Sequence, residues 1–212
     1  MPGAMTPRLI DHPLAQDALT TLRRAGTARE AFRAALHRIA LLLAAGATER
    51  LPLAAAPVVT PLEGVDAPVL AGPLPCLVPV LRAGLGLLDG FLALMPGAPV
   101  AHFGAYRDHA TLATVEYSFA APTDLALRAA IVLDPMLATG NTAAAACTRL
   151  KAAGARDLAV ACVLAAPEGL ARLAAAHPDV AVTAVAVDRG LDERGYIRPG
   201  LGDAGDRLFG TG

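Results

Sequence analysis

Leu133-Asp134-Pro135-Met136-Leu137-Ala138-Thr139-Gly140-Asn141-Thr142 separates an apolar run, Ala130-Ile131-Val132-Leu133, from an alanine-rich one, Ala143 to Lys151. The first run reads as a buried strand and the second as a helix, which makes the segment a strand–acid–loop–helix junction. Backbone N–H groups at a helix N-terminus point at an anion, and the helix dipole adds to the attraction. Gly140 lets the backbone approach closely, and Thr139 and Thr142 bring hydroxyl donors. Asp134 stands at the strand's end, where it can accept hydrogen bonds from vicinal sugar hydroxyls. A carboxylate beside a phosphate cradle suits a sugar phosphate, because it would repel a bare anion. The same pattern also serves as a plain helix cap, with Asp or Thr holding the first N–H groups. The junction alone leaves both readings open.

Outward from the junction the chain alternates. Strands are expected at 76–81, 100–104, 130–133, 158–164 and 180–187, with helices at 85–94, 142–153 and 168–176. Such alternation predicts an α/β fold with a mostly parallel sheet covered by helices on both faces, and ligands at the strands' C-terminal ends. Upstream, 13–25 and 27–46 read as helices. The second opens on a capping-box pattern, Thr27-Ala28-Arg29-Glu30, and places Phe32, Leu36, Ile39 and Leu43 on one face. The Pro-rich stretch 52–75 suits short strands and connections, and 107–124 a polar loop or hairpin. The tail from Gly195 to Asp206 holds four glycines and a proline in a dozen residues. A loop of that composition is structured by something other than packing, usually a ligand.

The 212 residues suit one domain with a sizeable core. A net charge of −1 gives no basic nucleic-acid surface. No apolar run is long and unbroken enough for a membrane span, since Gly90 to Tyr106 is interrupted by Pro96, Pro99 and glycines. The N-terminus lacks a secretory apolar region. Cys76, Cys147 and Cys162 form no C-x-x-C pair, and Cys76 and Cys162 fall in strand-like runs, so they read as buried reduced thiols. A cytoplasmic protein is expected.

Val80-Leu81-Arg82-Ala83-Gly84-Leu85-Gly86 follows another strand but fails as a dinucleotide fingerprint, because Asp89 occupies the third glycine position. It reads better as a second anion site built on Arg82, against the alternative of a tight turn with a surface arginine. Two anion sites at two strand ends suit a sugar with phosphates at both ends. His12, His37, His102, His109 and His177 show no metal-ligand spacing, and His12 and His177, each before a proline, suit turns. There is no nucleophile elbow. Asp188, Arg189, Asp192, Glu193 and Arg194 read as a solvated turn.

Taken together these segments resemble the uracil phosphoribosyltransferases, a type I phosphoribosyltransferase family. The similarity spans nearly the whole chain, from His12-Pro13-Leu14 to Phe209-Gly210-Thr211. Its most specific parts are Pro79 to Gly86, Asp134 to Thr142, Ala165-Ala166-Pro167-Glu168-Gly169, and Gly195 to Asp206. The resemblance implies one domain over 1–212, with N-terminal helices in 1–50, a core over 76–188 and a C-terminal base-binding hood over 189–212. It implies transfer of a 5-phosphoribosyl group from PRPP to N1 of uracil, giving UMP and pyrophosphate. Asp134 would hold the ribose hydroxyls, with Pro135, Met136 and Leu137 leading into the 5′-phosphate cradle of Ala138, Thr139, Gly140, Asn141 and Thr142. Arg82 and Arg107 would face pyrophosphate. Ile197, Gly202, Asp203 and Ala204 would read the base through main-chain groups, with Asp203 also close to PRPP. Asp134, Arg107 and Asp203 are the expected catalytic set. Magnesium would be held by substrate oxygens, with no protein metal site. GTP is an implied effector, and a homodimer or larger assembly the implied state.

The departures from the family pattern are concentrated. Ala45-Gly46 stands where Tyr-Glu is common, and Asn141 where Gly is usual. The loop after Arg107 has lost most acidic residues, and Ala120 takes the place of a lysine. Two alternatives therefore accompany the main reading: transfer to a modified pyrimidine or related ring, and a catalytically weakened PRPP- or nucleotide-sensing regulator.

Overall fold

The computed structural model describes residues 6–107 and 114–211, with Arg107 and Thr114 described by backbone only. The chain runs through β1 (Arg8–Leu9), α1 (Pro13–Arg23), α2 (Arg29–Thr48), β2 (Leu53–Val59), β3 (Gly64–Leu70), β4 (Cys76–Leu81), α3 (Leu85–Leu94), β5 (His102–Arg107) and β6 (Thr114–Ala120). A 3-10 turn at Leu125–Leu127 leads to β7 (Ala129–Leu133), β8 (Met136–Leu137), α4 (Asn141–Ala152), β9 (Asp157–Ala165), α5 (Pro167–Ala176) and β10 (Ala181–Val187). A small hairpin, β11 (Gly190–Leu191) and β12 (Ile197–Arg198), precedes α6 (Ala204–Phe209).

The main sheet has the order β1-β10-β9-β7-β4-β5-β6 and is parallel except where β6 returns along β5. Alternation along the strands divides the core. Ile131 and Leu133 face α1, α2, α3 and α6, while Ala130 and Val132 face α4 and α5. Three layers result, as the alternation of apolar runs predicts. Cys76, Cys147 and Cys162 are all free and buried, and burial pushes the Cys147 thiol up to about 12, where it is inert. His12 caps α1, its Nδ1 accepting from the Leu14 N–H at 3.1 Å. His177 is buried, with Nε2 3.1 Å from Thr148 Oγ1 and 3.0 Å from the Ala144 carbonyl, and so ties the end of α5 to α4.

Several expectations give way. The capping box at Thr27 does not form: Ala28 is the N-cap, and the Thr27 hydroxyl donates to the Thr21 carbonyl at 2.6 Å instead, tying the α1–α2 turn. α2 is, by length and composition alone, apolar enough to cross a membrane, with a mean hydropathy of 1.2. Its apolar stripe, Phe32, Leu36, Ile39 and Leu43, is nevertheless buried among α1, α3 and the sheet. Gly46 in its last turn leaves room for Ile10, whose Cδ1 lies only 2.2 Å from where a Cβ would stand. The Pro-rich stretch forms a hairpin, β2–β3, that joins no other sheet and is exposed along both strands. Ala120 pairs with His102 at the foot of the β5–β6 ladder, at the opposite end from Arg107↔Thr114. A lysine at that position would sit away from the hairpin's tip. Residues 108–113 lie outside the described residues.

α2 and α3 meet at Gly90, where a Cβ would stand 2.5 Å from Ala40 Cβ and 2.9 Å from backbone atoms of Ala40 and Leu41. Gly90→Val should therefore overpack the contact and lower stability by about 1–3 kcal/mol, read as a lower urea midpoint. An unchanged midpoint would show that the helices part freely.

Candidate active site

β7 stops at Leu133, but the chain does not turn away. The Asp134 N–H donates to Ala161 at 3.1 Å, and the Pro135 carbonyl accepts from Val163 and Leu164 at 3.0 Å each. β8 then pairs with the last residues of β9, Met136 with Leu164 and Leu137 with Ala165. This shift carries the loop beyond the strand ends and onto the start of α5. There Gly140 adopts the left-handed conformation, φ 77°, and a Cβ on it would meet the Gly169 carbonyl oxygen at 2.5 Å. The contact is reciprocal: a Cβ on Gly169 would lie 2.4 Å from the Ala138 carbonyl oxygen. Two glycines thus hold the loop against α5, backbone on backbone.

The helix-cap alternative does not survive. Gly140 is the N-cap of α4 and offers no side chain, so the helix opens at Asn141, one residue before the predicted start. Asp134 Oδ1 accepts from the Met136 N–H at 3.3 Å, not from α4. Thr139 makes only a long 3.5 Å contact with the Asn141 N–H. The N-terminal turn of α4 presents its dipole without a capping side chain, as an anion site requires.

Asp134 is half-buried at the end of β7. Desolvation raises its carboxyl to about 6 from 3.8, and the Met136 N–H only partly offsets that. The carboxylate lines a pocket of about 220 Å³, and Met136, Ala138, Ile197, Gly202, Asp203 and Ala204 line it too. Residues from β7's end and from the C-terminal hood, distant in sequence, are thus brought together as the hood folds back over the strand ends. Ala83, Gly195, Tyr196 and Gly205 complete the lining and were missed from sequence. Only their membership in the glycine-rich segments marks them. Two larger cavities, about 920 and 970 Å³, lie beside the N-terminal end of β10 and on the hood hairpin; neither includes Asp134.

Other expected residues take different places. The Leu137 side chain is buried in the core, leaving its backbone alone on the loop. Pro135 is likewise buried. Asn141 Oδ1 accepts from Arg172 Nε at 3.1 Å, which brings a cation from α5 beside the loop; one turn beyond Gly169, it had no signal of its own. Arg82 follows a cis Leu81-Arg82 peptide, and its half-exposed side chain turns to the C-terminal tail, donating to Thr211 Oγ1 at 3.3 Å and lying 3.7 Å from Asp206. The Arg107 side chain lies outside the described residues. Asp203 caps α6, accepting from the Asp206 N–H at 2.9 Å. Among the described residues no cluster of three or more His, Cys, Asp or Glu could hold a metal. Asp134 and Asp203 on one pocket suit magnesium that takes most of its ligands from substrate oxygens and water. Asp188, read as part of a solvated turn, is buried and paired with Arg23 at 2.6 Å.

The family model described as uracil phosphoribosyltransferase matches residues 9–211. Over 203 residues the chain is 53% identical to the uracil phosphoribosyltransferase of Mesorhizobium japonicum, covering 96% of this chain and 97% of that one. The corresponding protein of Brucella anthropi is 52% identical, with 96% and 98% covered. The solved structure of the AQ2163 protein from Aquifex aeolicus superposes with a TM-score of 0.91 at 33% identity, over 97% of this chain and 99% of that one. The adenine phosphoribosyl transferase from Trypanosoma brucei shares the fold, with a TM-score of 0.59 at 14% identity over 92% and 88% of the chains.

Because the folded carboxyl of Asp134 titrates above its unfolded value of 3.8, the native state holds that proton more tightly. The contribution is intact below about pH 4 and is lost as pH rises through about 6. Asp134→Asn should thus be more stable than the parent at about pH 7.5, by about 1–3 kcal/mol, with the gap closing below about pH 4. Urea midpoints at both pH values report it, and equal midpoints at the higher pH would contradict it.

Proposed function

The chain belongs to the uracil phosphoribosyltransferase family, and we propose that it transfers 5-phosphoribosyl from PRPP to N1 of uracil, releasing pyrophosphate. The observation that carries this is one pocket shared by Asp134 and by Ile197, Gly202, Asp203 and Ala204. In the reaction the C1′–O bond to pyrophosphate breaks and its electron pair leaves with pyrophosphate. The N1 lone pair forms the new bond to C1′, and the N1 proton passes to solvent or pyrophosphate.

No protein nucleophile is needed. Asp134 accepts from the ribose hydroxyls as the ring takes on oxocarbenium character, which places a negative charge near the developing positive one. The loop from Ala138 to Thr142 holds the 5′-phosphate, with the open turn of α4 as its main attraction. Arg82 and Arg107 meet pyrophosphate, which requires Arg82 to leave Asp206 and Thr211. Magnesium, when bound, would neutralise pyrophosphate charge, and Asp134 and Asp203 are the carboxylates on the pocket that would hold its water ligands. The hood reads the base with main-chain groups and excludes water.

A homodimer or larger assembly is supported by the β2–β3 hairpin. Two-stranded ribbons are marginal alone in water, and this one exposes Val59 by 89% and Leu62 by 95%. We assign a second copy of this chain to cover it; sedimentation should give a dimer or larger, and a monomer at micromolar concentration would contradict it. A cytoplasmic location is supported by three free buried thiols. GTP activation follows from family resemblance alone and is tested by its effect on kcat.

Backbone donors and acceptors cannot rotate to suit another ring. Cytosine exchanges an acceptor for a donor at position 4 and a donor for an acceptor at N3, so two contacts fail at once. Pyrophosphate release with PRPP, magnesium and a base panel should show turnover of uracil and 5-fluorouracil, with cytosine disfavoured by about 10⁴–10⁵ in kcat/KM. Asp134→Asn and Thr142→Ala should each weaken PRPP use, the former by about ten- to a hundredfold. Comparable use of cytosine, or turnover of another ring and not uracil, would promote the modified-base alternative. Binding of PRPP without turnover of any base would promote the sensor.

A further inference from the structure

Gly200 is gripped from both sides. Its N–H donates to Asp188 Oδ2 at 2.9 Å, and its carbonyl accepts from Arg23 Nη1 at 2.9 Å. The same guanidinium closes a two-pronged pair on Asp188, Nη1 to Oδ2 at 2.8 Å and Nη2 to Oδ1 at 2.6 Å. Arg23 is the last residue of α1, and Asp188 directly follows β10 and is 8% exposed. Burial pushes the Asp188 carboxyl up, but Arg23 and the Gly200 N–H outweigh that and hold it below the usual range. It is therefore an anion at neutral pH.

The next peptide is held as well. The Leu201 carbonyl accepts from Arg207 Nη1 at 2.8 Å. Arg207 also donates to the Leu22 carbonyl, and to the Arg24 carbonyl at 2.6 Å, at the end of α1, and its guanidinium lies 4.5 Å over the Phe32 ring. Two consecutive residues, Gly200 and Leu201, are thus fixed to the N-terminal helices immediately before Gly202, Asp203 and Ala204, which line the pocket. None of Arg23, Asp188 and Arg207 lines it.

A largely buried ion pair is a weak source of net stability, because desolvation offsets the attraction. Holding a flexible backbone in one place is a different matter. Gly200 and Gly202 sit at φ 64° and 80°, in the region glycine enters freely, so the loop has no shape of its own to rely on. A backbone that must match the edge of a rigid ring binds better when its geometry is set in advance.

We propose that Arg23, Asp188 and Arg207 are positioning residues for the base, setting the height and orientation of the Gly202–Ala204 backbone without touching the ring. This rests on uracil being the acceptor. The test uses Arg23→Lys, which keeps the cation but loses the two-pronged grip, and Asp188→Asn, which keeps an acceptor for the Gly200 N–H. KM is measured separately for uracil and PRPP, and amide exchange is followed over residues 195–206. The expected result is a uracil KM raised about tenfold or more, a PRPP KM within about threefold of the parent, and faster exchange confined to that segment. Parallel rises in both KM values, or an unchanged uracil KM with a lowered Tm, would overturn the proposal. A parent enzyme that releases no pyrophosphate with uracil would instead reject the functional reading. Exchange over 195–206 in the unliganded variants would then decide the clamp, unchanged exchange overturning it.

Discussion

The carboxylate of Asp134 sits where solvation is poor, and among the described residues no cation is paired with it. Desolvation is the dominant influence on its titration, and a single 3.3 Å hydrogen bond from the Met136 N–H opposes it. A fold tolerates such a group when a ligand completes it. Everything around Asp134 serves to keep it there: β7 ends one residue before it, β8 carries the chain past it along β9, and the Gly140–Gly169 contact closes the loop behind it.

The opposite wall of the pocket is made differently. The hood has little core of its own and derives its shape from glycines and from charges anchored elsewhere. Arg23 and Arg207 join it to α1, and Glu168 at the start of α5 accepts from the Leu191 N–H at 3.1 Å. α1 thereby anchors the hood wall of the pocket, and α5 touches both the Ala138–Thr142 loop and the hood. The helices on the two faces of the sheet each hold one end of the site.

Much of this was legible in the sequence, for a physical reason. The junction at Asp134 is bracketed by a short continuous apolar run and a helical run, so its local structure was fixed by neighbours close in sequence. The glycine-rich tail was expected to take its shape from a ligand, whereas Arg23, Asp188 and Arg207 hold it and Ile197, Leu201 and Ala204 pack into the core. Asp188 was misjudged because its partner, Arg23, lies 165 positions away, and its own surroundings, Arg189 to Arg194, look like solvated turn. Thr27 matched a capping pattern, yet its hydroxyl found the Thr21 carbonyl first. The β2–β3 ribbon hid in a stretch whose prolines obscure alternation. Ala120, read as part of the loop after Arg107, instead pairs with His102 at the ladder's foot.

The most direct measurement of the role given to Asp134 is the number of protons released when PRPP and magnesium bind, from calorimetry in two buffers of different ionisation enthalpy. With the free carboxyl at about 6 and an ionised form needed to accept from the ribose hydroxyls, the parent protein should release about three-quarters of a proton more than Asp134→Asn at about pH 5.5. The excess should vanish by about pH 8. Equal proton release by parent and variant at the lower pH would contradict the account.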